Sequence, residues 1–265
     1  MTEADRFLPA DRVTGRTAVV TGAGSGLGRV ISLALAARGA RVVLVGRHRE
    51  TLQSVASEAT GLPGSVRVAT ADVSDPASVE ALAAELADEV VEILINNAGV
   101  PGPVAPLTEI EPDDWDAVFA VNVRGVYLMC RAFLPGMVER GDGDVINLAS
   151  VTGKRPLTRR TPYAASKMAV IGLTNTLAYE VGPAGVSVNS LSPGPVDGAR
   201  MARNFRMEAD RTGVTAREAE QAFVSRAALQ RMLTEEEVAA AVLAMLHMPG
   251  LCAADIDLSA GMVAR

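Results

Sequence analysis

The most regular feature of the 265-residue chain is an alternation of short apolar runs with longer stretches of helical spacing. Seven runs rich in β-branched residues stand out: 17–21 (TAVVT), 41–46 (RVVLVG), 66–70 (VRVAT), 91–96 (VEILIN), 144–150 (DVINLAS), 186–191 (VSVNSL) and 254–259 (ADIDLS). Several are apolar without a break, the pattern of strands covered on both faces. Helical patterns fill the gaps at roughly 26–38, 48–59, 75–88, 113–139, 162–181 and 234–247. In SDPASVEALAAEL, Ser74 or Asp75 stands at a helix cap and Pro76 in the first turn. Strict alternation of strand and helix predicts an α/β domain: a seven-stranded parallel sheet flanked by helices on both sides. No internal repeat or low-complexity linker interrupts it, so residues 15–265 read as a single domain and residues 1–14 as a surface extension.

Residues 197–233 break the rhythm. They leave the end of the sixth strand, carry several methionines and arginines, and are partly helical in pattern. Ligands of doubly wound sheets bind beyond the carboxyl ends of the strands. The segment is therefore expected to be a substrate lid; the plainer reading is a surface excursion.

Composition narrows the function classes. Hydrophobic residues make up 49% and charged residues 21% of the chain, and mean hydropathy is +0.22, as for a globular protein with a generous core. A net charge of −6 and an aromatic content of 3% argue against nucleic acid or an anionic membrane as partner. The N-terminus has no apolar signal core and no run of about 18 apolar residues occurs, so the expected location is cytoplasmic. Cys130, Cys252, His48 and His247 do not cluster at ligand spacing, and no metal site is expected. Both cysteines read as small buried hydrophobes.

The chemistry starts at the first strand, which runs straight into TGAGSGLG and a helix. Glycine lets backbone N–H groups approach a diphosphate, and the helix start supplies partial positive charge. Further on, Tyr163 and Lys167 stand one helical turn apart on one face. A free phenol has a pKa of about 10, too high for a base at neutral pH, and a nearby ammonium favours the phenolate. Ser150 ends the fifth strand thirteen residues before Tyr163, where its hydroxyl can donate to an oxygen that gains charge. Asn122 sits among apolar neighbours in FAVNVRG, and a buried amide needs partners.

TGAGSGLG, NNAG at 96–99 and Tyr163-x-x-x-Lys167 together resemble the short-chain dehydrogenase/reductase family, in its branch of about 250 residues that includes 3-oxoacyl-carrier-protein reductases. The resemblance runs from Arg16 to Val263. It implies a Rossmann-type doubly wound domain and an oxidoreductase that moves a hydride between a nicotinamide cofactor and a carbonyl or secondary alcohol. It implies catalytic roles for Asn122, Ser150, Tyr163 and Lys167. The implied cofactor contacts are Gly22, Gly24, Ser25, Gly26, Leu27, Gly28, Arg47, Asp72, Val73, Asn97, Ala98, Gly99, Tyr163, Lys167, Pro193, Gly194 and Val196, with adenine near Asp72 and Val73. It further implies a homotetramer, or a dimer, joined through helices 113–139 and 162–181. Two departures stand out: Gly198 replaces a common threonine near the nicotinamide, and IDLSAGMV replaces the usual Asp-Gly-Gly ending.

Gly46 ends the second strand where an acid would select NAD, and Arg47 follows. An arginine there accepts a 2′-phosphate, so NADP(H) is favoured over NAD(H); a solvated strand-end charge is the plainer reading of Arg47. Between Ser150 and Tyr163 lie Lys154, Arg155, Arg159 and Arg160, and the insertion adds Arg200, Arg203 and Arg206. They could attract an anionic substrate, or be solvated or touch a neighbouring subunit. Two rivals stay open: a reductase of 3-oxoacyl thioesters, and a non-catalytic regulator that senses NADP.

Overall fold

Successive side chains of a strand point to opposite faces of its sheet, and here both faces are covered. The structure, a computed structural model, describes residues 11–263. Its strands are β1 (Thr17–Thr21), β2 (Arg41–Gly46), β3 (Ser65–Thr70), β4 (Val91–Asn96), β5 (Gly143–Leu148), β6 (Val186–Pro193) and β7 (Asp255–Leu258). They form one seven-stranded sheet in the order β3-β2-β1-β4-β5-β6-β7, with every neighbour parallel. Ala18, Val20, Val42, Leu44, Ile93 and Ile95 enter one core. The alternate positions Val19, Val43, Val45 and Leu94 enter the other. The predicted doubly wound sheet is the one observed.

The helices are α1 (Gly26–Ala37), α2 (Arg49–Glu58), α3 (Pro76–Glu85), α4 (Pro112–Phe119), α5 (Gly125–Arg140), α6 (Thr161–Val181), α7 (Ala199–Thr212), α8 (Ala216–Val224) and α9 (Glu235–Leu246). Side chains of α1, α2 and α9 fill the first core and those of α3, α5 and α6 the second. Asp75 caps α3 by accepting the N–H groups of Ala77 and Ser78 at 3.2 and 3.3 Å. The helix expected over 113–139 is two helices joined by a π-helical turn, Ala120–Arg124. The whole stretch Pro112–Arg140 is long and apolar enough to cross a membrane, yet half of its most apolar window is buried in the fold, as for a core helix.

The N-terminal extension departs from expectation over the part described, residues 11–14; residues 1–10 lie outside the described residues. Val13 is fully buried. Arg12 and Arg16 both pair with Asp142 and Asp144 below the sheet, Arg16 meeting Asp144 at 2.6 Å. The insertion is an ordered helical pair. Phe205 of α7 meets Phe223 of α8 edge to face at 5.6 Å. Its stem is closed by Asp197 N–H to Leu233 C=O (2.8 Å) and Leu233 N–H to Pro195 C=O (2.9 Å).

Candidate active site

Strand order reverses between β1 and β4, and such a switch point opens a crevice at the carboxyl ends of the strands. The glycine turn after β1 and the Asn97–Gly99 loop after β4 meet there. A Cβ on Gly28 would stand 2.2 Å from Gly22 C=O and 2.5 Å from Asn97 Nδ2, so no other residue fits. Asn97 Nδ2 donates to Thr21 C=O at 2.9 Å. Thr21 Oγ1 accepts the N–H groups of Asn97 and Ala98, both at 3.0 Å. α1 then begins from an extended Ser25 whose hydroxyl caps nothing, with no acid in its first turn. Ser25 and Gly26 are exposed. First-turn N–H groups without a side-chain partner, over a glycine turn, make a cradle that fits a diphosphate. The carboxylate of Glu235 reaches this turn, its Oε1 3.6 Å from where a Cβ on Gly26 would stand.

Arg47 is exposed at the end of β2. Across from it, hydrogen bonds from the Ser74 hydroxyl (2.7 Å) and N–H (2.9 Å) hold the Asp72 carboxyl below the usual carboxylate range, against burial and with help from Arg47. The Val73 side chain is buried in the core against Gly125, which leaves its main chain for a contact at the crevice. At the end of β6, Gly194 N–H donates to Leu258 C=O at 2.7 Å. Val196 is buried and bridges to Leu233.

The four residues expected to do chemistry converge beyond β4 and β5. Lys167 is buried on α6, donates to Leu148 C=O at 2.6 Å, and lies 5.9 Å from the centre of the Tyr163 ring. Burial pushes the Tyr163 phenol up. Lys167, Arg200, a hydrogen bond with Ser150 and Arg160 together outweigh burial, and the phenol's pKa lies below its ordinary value. Burial lowers the Lys167 ammonium, opposed by Tyr163. Ser150 opens a short 3-10 turn and accepts Thr152 N–H at 3.2 Å.

Asn122 occupies the π-helical turn, not a regular α-helix. Its Oδ1 accepts Val100 N–H at 2.8 Å, and its Nδ2 donates to Val100 C=O and to Ser166 Oγ, both at 3.0 Å. Ser166 Oγ in turn donates to Tyr163 C=O at 2.8 Å. A Cβ on Gly99 would stand 3.2 Å from Asn122 Oδ1 and 3.5 Å from Lys167 Nζ, so Gly99 brings the β4 loop directly onto this pair. Sequence reasoning missed Ser166; its signal was a small hydroxyl residue inside the Tyr-to-Lys turn, on the inward face.

The basic residues separate. The Lys154 side chain is turned away from solvent, unlike most of its neighbours in the loop. It is buried between Asp255 (2.5 Å) and Asp257 of β7, because two strand carboxylates beneath the loop require a countercharge. Arg159 adopts a left-handed backbone, φ 64°, and donates to Val104 C=O. Arg160 is partly buried and reaches Pro101 C=O, Gly102 C=O and Asn204 Oδ1. Cys130 is buried as expected, but Cys252 is exposed. No cluster of three metal-ligating side chains occurs among the described residues.

Comparison with known proteins agrees with this architecture. The family model for short chain dehydrogenase matches residues 16–210. D-threitol dehydrogenase of Mycolicibacterium smegmatis is 41% identical over 184 residues, 69% of this chain and 70% of that one. A 3-oxoacyl-acyl-carrier-protein reductase of Thermotoga maritima is 35% identical over 188 residues, 70% of this chain and 76% of that one. Among solved structures, an actinorhodin polyketide ketoreductase with NADPH superposes with a TM-score of 0.88 at 31% identity, covering 94% of this chain and 97% of that one. L-sorbose reductase of Gluconobacter frateurii, with NADPH and L-sorbose, gives 0.89 at 26% identity, covering 96% and 98%. An NAD+-bound xylitol dehydrogenase gives 0.87 at 25% identity, covering 94% and 99%. Similarity of this extent, over the sheet, the glycine turn and the Tyr-Lys helix alike, makes the chain a member of the short-chain dehydrogenase family of oxidoreductases.

Proposed function

We propose that the chain is an NADP(H)-linked oxidoreductase of a carbonyl or secondary alcohol, with Tyr163 as general acid and base. The observation that carries this is the setting of the Tyr163 phenol: half-buried, with Lys167 Nζ 5.9 Å from its ring centre and a hydrogen bond with Ser150, neighbours that favour its ionised form against desolvation. A phenol tuned toward neutrality can give and take a proton at working pH. The cofactor, when bound, supplies or accepts the hydride. Tyr163 delivers the proton to the substrate oxygen during reduction and removes it during oxidation. Ser150 hydrogen-bonds the same oxygen and stabilises its developing charge. Lys167 keeps the phenol acidic, and Asn122 fixes the Val100 and Ser166 contacts that hold the Tyr163 turn. Gly22, Gly24, Gly26 and Gly28 with the α1 start would hold the diphosphate, and Asn97–Gly99 would border the nicotinamide side.

Arg47 supports NADP(H), since β2 ends in Gly46 and an exposed guanidinium, not in an acid. The α7–α8 pair beyond β6 is read as the substrate lid, and the exposed apolar groove of Tyr127, Leu134, Val138, Leu173 and Leu177 between α5 and α6 as the homotetramer contact. The named relatives act on polyols, a ketose or acyl thioesters, so the substrate panel should contain all three. Oxidation of a polyol by NADP+, or reduction of the ketose or of a 3-oxoacyl thioester by NADPH, slowed by about 100-fold or more in Tyr163→Phe with the fold intact, is the expected result. Equal turnover in Tyr163→Phe would refute the reading, and absence of turnover with these substrates and with keto acids alike would favour the regulator. A kcat/KM for NADPH above that for NADH, with the preference lost in Arg47→Ala, is expected; a strong NADH preference would refute the cofactor choice.

A further inference from the structure

Among the described residues, the cations around Tyr163 have no paired carboxylate. Arg160 is partly buried at the start of α6, and the acceptors of its guanidinium among the described residues are neutral: Pro101 C=O and Gly102 C=O at 3.4 Å, and Asn204 Oδ1 at 3.1 Å. Arg200, in the first turn of α7, makes no hydrogen bond or ion pair among the described residues. Yet Arg200 stands one helical turn before Asn204 on α7, and Asn204 accepts a hydrogen bond from the Arg160 guanidinium at 3.1 Å, so its charge is felt at Tyr163, Lys167 and Arg160 alike. Arg203 adds to the charge on Arg160. No carboxylate pairs with Arg160, Lys167 or Arg200 among the described residues. The contrast is Lys154, buried nearby and matched by two aspartates.

A partly desolvated arginine such as Arg160 is ordinarily paired; Arg200 is exposed and stands beside it. The first turn of α7 also disfavours positive charge, because the helix dipole is positive there, and it contains no acid. Helix stability therefore does not explain Arg200. We propose that Arg160 and Arg200 bind an anionic group of the substrate, a carboxylate or phosphate carried near the reacting carbonyl or alcohol carbon. A guanidinium fork suits either anion. Placing both forks within electrostatic reach of the phenol orients the substrate oxygen toward Tyr163 and Ser150 and discriminates against neutral analogues. The inference rests on the reading of Tyr163 given above.

The test compares NADPH-dependent reduction of pyruvate, acetoacetate and levulinate with reduction of their methyl esters. The measured quantity is the acid-to-ester ratio of kcat/KM, in which any effect of Arg200 on the phenol cancels. At least one acid should exceed its ester by about tenfold or more, and Arg200→Gln or Arg160→Gln should lower that ratio by about tenfold or more, as for loss of a charged hydrogen bond. Arg200→Lys should restore part of it, and Arg200→Glu should invert the preference. Esters equal to acids in the unsubstituted enzyme, or ratios unchanged in both glutamine variants, would overturn the proposal. A raised KM for NADPH with an unchanged ratio would assign the arginines to the cofactor phosphates and overturn it too. Binding of malonate and of inorganic phosphate to the enzyme–NADP+ complex, followed by calorimetry, decides the matter without turnover. Binding weakened about tenfold by Arg200→Gln and unaffected by Tyr163→Phe is expected, and the tighter anion identifies the group. Binding that is absent, or equal in Arg200→Gln, refutes the clamp. Failure of the Tyr163 reading would instead leave anion binding intact and Tyr163→Phe active.

Discussion

Lys154→Met should be among the most damaging single substitutions outside the Tyr163 site. The lysine side chain is 6% exposed, and its partners Asp255 and Asp257 are 10% and 20% exposed. Removing one member of a buried ion pair costs about 3–5 kcal/mol, because the remaining charge is left uncompensated. Two features favour the lower end. Asp255 keeps the hydroxyls of Ser190 (2.8 Å) and Ser192 (2.7 Å), and Asp257 is the more exposed. The expected loss is therefore about 3 kcal/mol, a fall in Tm of roughly 6–12 °C for a domain of this size. Urea unfolding at neutral pH reads the first number and a thermal scan the second. Removing one of the stranded charges, in Lys154→Met with Asp257→Asn, should recover at least about 1 kcal/mol. A loss below about 1 kcal/mol, the value of an exposed pair, with no recovery in the double variant, would refute the buried-pair account.

Further expectations concern the crevice and the thiols. Gly28→Ala must displace Gly22 C=O, 2.2 Å from the new Cβ, and should cost about 1–3 kcal/mol and raise the KM for NADPH; an unchanged KM at unchanged stability would contradict the packing. Asn122→Leu leaves Val100 N–H and C=O without their partners and should destabilise by roughly 2–4 kcal/mol, measured by urea unfolding; a neutral effect would remove Asn122 from its bridging role. In the folded protein a thiol reagent at pH 8 should titrate Cys252 alone. Burial pushes the Cys130 thiol up to about 12 against the hydrogen bond from Asn96, so Cys130 should react only after unfolding. Two equally fast thiols would contradict that environment.

The scaffold was legible because its signals are local. Val19, Val43 and Leu94 sit in uninterrupted apolar runs, and such runs announce strands buried on both faces whatever surrounds them. Gly22, Gly28, Asn97, Ser150, Tyr163 and Lys167 were legible because each is read with its immediate neighbours. What escaped depends on distant partners. Lys154 looked like part of a basic loop, since the aspartates that neutralise it lie a hundred residues away in β7. Val13 looked like a surface residue because nothing near it in sequence reveals the pocket it fills. Asn122 was placed on a regular helix; the π-helical turn that points it at Val100 has no sequence signature of its own. Arg160 and Arg200 are visible as charges, but that the start of α6 meets α7 through Arg160 and Asn204 is a property of the fold.

The central claim is that the site makes Tyr163 acidic. The chain has three tyrosines, so the difference in ultraviolet pH titration between the unsubstituted protein and Tyr163→Phe isolates this phenol. The structure predicts phenolate formation below the ordinary value of about 10, and a shift upward in Lys167→Met because the largest opposing charge is gone. In the direction of alcohol oxidation, where the base form is required, kcat/KM should rise with pH along the same curve. A Tyr163 that titrates at or above the ordinary value, or one that does not respond to loss of Lys167, would contradict the account.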